Sequence, residues 1–308
     1  MATLADEAEG VPIRICVLAE AFAPIVGGGE THALILSEEL GRLGAQVMVL
    51  TRRTTRQLPE RERRGLLAIL RVGPSGFKRL GKYLMGPAAL AALIGGRARY
   101  GLIYVAGFRV LGIVAVLAGK LLGRPAVLRA ESNGELSGEF VIQGVVARQA
   151  VLRSAARILI RARNVLLRRA DVFLAITRGI EAEFLAEGVP KDRIVYIPNG
   201  VQADGFVPAD PAPKQALRNR LGLPPDRVVW CYTGKLMRGK GLELLLEIWG
   251  RLVADDPRLM LVLVGGGSHH ALSCEPELRD YVRAHGLDGS VRFTGYVSNV
   301  VEYLQASD

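Results

Sequence analysis

The sequence predicts an α/β protein built from two parallel sheets, each covered on both faces by helices. Three observations carry that prediction. The apolar run Ile13 to Phe22 reads as a strand buried on both faces, and a glycine loop and a helix-period segment follow it at once. Strand-like and helix-like segments then alternate along the chain. After a Pro- and Asp-rich stretch, Ala203 to Lys214, the same alternation starts again.

The first strand leads through PIVGGG into the helical segment ETHALILSEELGRLG and the second strand, QVMVLT. GLIYVAGF, PAVLRA, DVFLAIT and IVYIPN are further strands, with helical stretches between them. Residues 1–202 therefore form a first domain, and 203–214, lacking any periodicity, reads as a linker. In 215–308 the strands are RVVWCYTGK, LMLVLVGGG and VRFTGYV, the helices are GLELLLEIWGRLV and the segment around PELRDYVRAHG, and VEYLQASD begins another helix. Open α/β sheets commonly have more strands, so the second domain is expected to be incomplete.

Composition agrees with this class. A chain of 308 residues has room for about two domains at roughly 150 residues each. With 50% hydrophobic and 23% charged residues and a mean hydropathy of +0.24, it is not a disordered chain. The net charge is +10 and unevenly placed: residues 1–200 carry 28 basic and 17 acidic side chains, residues 201–308 carry 12 and 13. An anionic partner is expected on the N-terminal part. Cys16, Cys231 and Cys274 form no C-x-x-C pair, and Cys16 and Cys231 sit in apolar runs as small buried residues of a reducing compartment. The start, MATLADEAEG, is unlike a secretory signal. The longest apolar stretch, Tyr83 to Gly96, contains Pro87 and is shorter than the roughly 20 residues a spanning helix needs. A cytoplasmic protein is expected, with contact to the inner membrane face left open.

Two glycine triplets lie between strand and helix. At Gly27-Gly28-Gly29-Glu30 the missing side chains let backbone N–H groups approach an anion at a helix N-terminus. A dinucleotide fingerprint would need glycines where His32 and His270 stand, the latter after Gly265-Gly266-Gly267, and no GxxxxGK[ST] occurs. Each triplet is otherwise a tight turn. In TGKLMRGKGLELLL, Lys235 ends a strand and Lys240 precedes a helix, with Gly234 before and Arg238 between them. Ammonium groups bracketing a helix N-terminus suit a diphosphate.

These motifs together resemble family-4 retaining glycosyltransferases of the GT-B fold, two Rossmann-like domains facing a cleft. PIVGGGETH, IVYIPNGVQADGFVP, YTGKLMRGKGLELLL, LVLVGGGS and VRFTGYV carry the resemblance along nearly the whole chain. It implies transfer of a sugar from a nucleoside-diphosphate sugar to an acceptor hydroxyl, with retained anomeric configuration, in cell-envelope glycan, polysaccharide or glycolipid synthesis. Gly28, Gly29, Gly234, Lys235, Arg238, Lys240, Gly265, Gly295, Tyr296 and Val297 would bind the donor, and Glu30 and His32 would face the acceptor. The fold generally needs no catalytic metal, and the chain has no Asp-x-Asp pair. The acceptor would be lipid-linked or a glycan. A catalytically silent, sugar-nucleotide-binding or membrane-associated module is the alternative.

Two departures from the family stand out. Where many relatives have a catalytic-region histidine, LRAESNGEL places Glu131, the candidate catalytic residue, which would bind sugar or acceptor hydroxyls or cap the next turn. The family's acidic E-x7-E signature is expected after the strand that would follow Ala306-Ser307-Asp308, past the last residue of the sequence, so the chain is expected to be truncated and to bind donor poorly on its own. Finally, Arg153, Arg157, Arg161 and Arg168 share one face of a helical stretch within Glu139 to Ala170, with Leu152, Ala155, Leu159 and Leu166 opposite. A solvated face, an anionic membrane surface and nucleic acid are the three readings. Nucleic acid is disfavoured, because no aromatic interleaves with the arginines between Arg153 and Arg168.

Overall fold

The computed structural model describes residues 12–77, 80–139, 150–201, 203–267 and 272–308. It divides into two compact units, 1–199 and 200–308.

In the first unit β1 (Arg14–Ala19), β2 (Gln46–Arg52), β3 (Arg61–Arg64), β4 (Leu67–Val72), β5 (Leu102–Ala106), β6 (Ala126–Arg129), β7 (Val172–Ala175) and β8 (Ile194–Tyr196) form one sheet. Their order is β3-β4-β2-β1-β5-β6-β7-β8, parallel except for β3 against β4. The β3–β4 hairpin, RERR-GL-LAILRV, is not among the strands expected from the sequence. Gly65 turns it at φ +55°, and only alternate residues of β4 are buried.

Helices α1 (Gly28–Arg42), α2 (Gly81–Gly95), α3 (Phe108–Leu122), α4 (Ala150–Leu167) and α5 (Arg178–Ala186) complete the described part of this unit. On one sheet face Phe108, Phe173 and Phe184 meet edge-on or tilted, with centroids 5.3 to 6.1 Å apart. On the other face the α1 residue Ala33 joins Val17, Val49 and Leu67 in a second core. The chain runs from β1 outward to β2 and returns on the far side of β1 as β5. The carboxyl ends of β1 and β5 are therefore the sheet's switch point, where α/β sheets bind ligands.

The second unit has β9 (Val228–Thr233), β10 (Leu259–Val264) and β11 (Val291–Gly295), all parallel, with β10 central. Its helices are α6 (Pro211–Leu221), α7 (Leu242–Asp255), α8 (Glu275–Ala284) and α9 (Val300–Ala306). Trp249, Leu246, Leu261 and Leu278 fill one side of the sheet, and Val229, Val262, Leu223 and Ala306 the other. The segment 203–214, expected as a linker, belongs to this unit and its last residues begin α6. Pro211 takes the first helical position, where its missing N–H costs nothing, and Gly222 closes the helix at φ +65°.

The arginine stripe needs correction. Leu159, expected against the sheet, is exposed, as are Ile158 and Val165, while Ile160, Asn164 and Leu167 face inward. Arg168 turns in and donates to the Glu187 carbonyl at 3.1 Å. Arg157 and Arg161 remain exposed. The side chains of Leu152, Arg153 and Ala155 lie outside the described residues. Cys231 is half-buried rather than buried, and burial pushes the Cys16 thiol up to about 12.

Candidate functional site

The residues singled out in the sequence gather in two places, each at the carboxyl ends of one unit's strands. In the first unit a cavity of about 180 Å³ opens beside Gly29, Glu30, Gly107, Glu131 and Glu135. Glu131 follows β6, and its carboxylate lies against two glycines. A Cβ on Gly29 would sit 2.2 Å from Glu131 Oε1, and one on Gly107 would sit 3.0 Å from Glu131 Cδ, with φ there already +75°. Both helix starts, α1 and α3, must therefore lack side chains for this carboxylate to occupy its place. The N-terminus of α1 thus already faces an anion of the protein's own, while Gly28 faces open space.

Capping of the turn after β6 falls to other carboxylates. Glu135 Oε1 accepts from the Glu131 N–H at 2.9 Å. Glu183, on α5, accepts from Gly134, Leu136 and Ser137 N–H at 2.6, 2.9 and 2.9 Å. Glu131 is left to face the cavity. Burial raises its carboxyl above the usual range, Glu135 adds to the rise, and Arg129 opposes it. Burial raises Glu135 as well, against the backbone amides it accepts.

Arg129 ends β6 as a cation in the sheet interior, 2% exposed. Its Nη2 donates to Asn199 Oδ1 at 2.7 Å, and Nη1 lies 3.8 Å from Glu131 Oε1. Nε and Nη1 make no hydrogen bond of good geometry, and neither does the buried Glu135 Oε2. Unsatisfied buried polar atoms are costly and concentrate where structure serves function. His32, half-buried in α1, is pulled down to about 4, mainly by burial and further by Arg129. It is neutral near pH 7.

In the second unit the strand ends are stitched together through glycine. Gly234 N–H donates to the Val264 carbonyl at 3.0 Å and Gly265 N–H to the Gly295 carbonyl at 3.1 Å. A Cβ on Gly265 would lie 2.0 Å from the Gly234 carbonyl oxygen, so only glycine permits this approach. Pairing slips between β10 and β11, where Val264 opposes Gly295 and Thr294 is the extra residue. After that bulge Gly295 still pairs with Val264 and Val297 packs on the core of the sheet, while Tyr296 between them is 72% exposed. Gly241, at φ +72°, starts α7, and Lys235 and Lys240 are exposed on either side of the buried Leu236 and half-buried Met237. Among the described residues neither lysine has an ion-pair partner. Arg238 does, bonding Glu277 Oε1 at 2.6 Å on the surface.

Glu135, Arg129, Gly107, Arg109 and Glu183 are site residues that motif reading missed. The one signal was Arg129, a charge inside an apolar strand that must have a buried partner.

Two glycine-edged sheets with these strand ends define a class of protein that binds ligands beyond its strand carboxyl ends. Residues 27–200 match the glycosyl transferase 4-like domain family, and residues 227–308 match glycosyl transferases group 1. The chain belongs to this family and is a GT-B glycosyltransferase of family 4. The D-inositol 3-phosphate glycosyltransferase 2 of Catenulispora acidiphila is 26% identical over 97% of this chain and 73% of its own length. The D-inositol 3-phosphate glycosyltransferase of Thermobispora bispora is 28% identical over 86% of this chain and 63% of its own. Among solved structures, sucrose-phosphate synthase of Thermosynechococcus elongatus superposes with a TM-score of 0.74 at 22% identity, over 96% of this chain and 74% of that one. Anabaena HepE, solved with UDP and glucose, superposes at 0.67 with 19% identity, over 96% and 73%. These structures share the fold. Among the described residues no helix is long and apolar enough to cross a membrane.

Proposed function

We propose that the protein transfers a sugar from a nucleoside-diphosphate sugar to an acceptor hydroxyl with retention, in the synthesis of a cell-envelope glycan, polysaccharide or glycolipid. The observation that carries this is the exposed pair Lys235 and Lys240 at the N-terminus of α7, beside strand ends opened by Gly234, Gly265 and Gly295. Two ammonium groups and a helix N-terminus stabilise the charge that grows on a departing diphosphate. The bond between anomeric carbon and phosphate oxygen breaks, and the acceptor oxygen bonds that carbon from the same face. The acceptor's proton passes to the released diphosphate. Gly265, Gly295, Tyr296 and Val297 would receive the base by backbone contact, and Arg238 would join the phosphates by leaving Glu277. Glu30, His32 and Glu131 would hold the acceptor. UDP in the HepE structure supports a nucleoside diphosphate as the leaving group.

Neutralisation by lysine makes the proposed reaction independent of a divalent cation. A transfer assay with nucleoside-diphosphate sugars, with and without chelator, tests both parts. Transfer that survives chelation supports the reading. Its absence with every donor, or its loss on chelation, counts against it.

We further propose that the protein works at an anionic membrane surface on the cytoplasmic side, where a lipid-linked acceptor would be met. The exposed surface of α4 supports this, because it carries Ile158, Leu159 and Val165 together with Arg157 and Arg161. Sedimentation with anionic and neutral vesicles tests it, and equal binding to both would remove it.

A further inference from the structure

We propose that the cavity of the first unit takes a neutral, hydroxyl-rich acceptor and rejects the phosphorylated form of the same molecule. This rests on the reading of that cavity as the acceptor site.

The unit as a whole is strongly basic, yet its cavity is not. Glu20, Glu30, Glu131 and Glu135 line it, against Lys82 and Arg109. The two cations are partly engaged. Arg109 Nη2 reaches Ser132 Oγ at 3.5 Å, and Lys82 Nζ lies 5.3 Å over the Tyr83 ring. Of the carboxylates, Glu20 has Arg52 only at 4.0 Å, and Glu131 has Arg129 only at 3.8 Å. Glu135 is 2% exposed, and its Oε2 lacks a hydrogen bond of good geometry. Carboxylate oxygens accept hydrogen bonds and never donate them when ionised, so they match the hydroxyl groups of a polyol or sugar. A phosphate brings up to two negative charges and acceptor oxygens only, which oppose the same carboxylates at close range. The volume, about 180 Å³, suits one sugar- or cyclitol-sized ring.

Saturation-transfer NMR on the 308-residue protein, without nucleotide, tests this with free inositol and glucose against their monophosphates. Both neutral compounds should give signals, and the monophosphates should bind about tenfold or more weakly. Glu131→Gln and Glu30→Gln should weaken the neutral signal, and Glu30→Lys should raise that of the monophosphates. Equal or stronger binding of the monophosphates would overturn the proposal. So would silence from all four compounds, or neutral binding unchanged in both Gln variants. Because no donor is present, failure here leaves the transfer assay to judge the reaction itself.

Discussion

Single residues set the two sites, and glycine does so in two distinguishable ways. At Gly29 the atom in the way of a side chain is the end of a flexible carboxylate, so Gly29→Ala can be accommodated by moving Glu131. At Gly265 the obstacle is the Gly234 backbone carbonyl, and φ is +134°. Gly29→Ala is thus expected to cost under about 1 kcal/mol of stability while lowering transfer, and Gly265→Ala to cost about 3 kcal/mol or more. Urea unfolding with a parallel transfer assay separates the two. His32 gives a pH signature. Its native value lies near 4 against 6.5 when free, so the unfolded chain binds the proton more tightly. Stability should fall as pH drops from about 6.5 to 4. Full burial of the ring would make this about 3 kcal/mol, and solvent screening of a half-buried one leaves about 1–2 kcal/mol. Glu131 and Glu135, raised by burial, push the opposite way as pH falls, so the measured quantity is the difference between wild type and His32→Gln. Parallel stability curves for the two proteins would count against it.

Among the elements, α5 decides how the turn after β6 presents Glu131. Glu183 binds three backbone N–H groups there. Glu183→Ala should cost about 2–3 kcal/mol and free residues 132–138 to exchange their amide hydrogens faster. Unchanged exchange in that turn would show that other contacts hold it. This dependence was not legible in the sequence, because Glu183 lies 46 to 49 positions from its partners. The glycine loops and the lysine pair were legible because each is contiguous: backbone requirement, charge and helix start fall within ten residues. The β3–β4 hairpin escaped notice for a different reason. A short edge strand of arginines carries no apolar period, and only its turn glycine marks it. The arginine stripe failed by rotation. Spacing fixed which residues share a face of α4, but Asn164 and Arg163 turn that helix by donating to the Leu136 carbonyl.

At the scale of the whole molecule, the basic excess and the sites separate. The first unit holds most of the charge, yet four of the six charged residues lining the cavity at its switch point are carboxylates. The excess therefore lies outside that cavity, and the exposed Arg157 and Arg161 of α4 carry part of it. The second unit is nearly neutral and keeps two exposed lysines where a diphosphate would be met. Calorimetric titration with uridine, guanosine and adenosine diphosphates tests that placement directly. At least one should bind, and Lys235→Ala with Lys240→Ala together should weaken it by about tenfold or more without changing the unfolding midpoint. Equal affinity in the double variant would contradict donor capture by this loop.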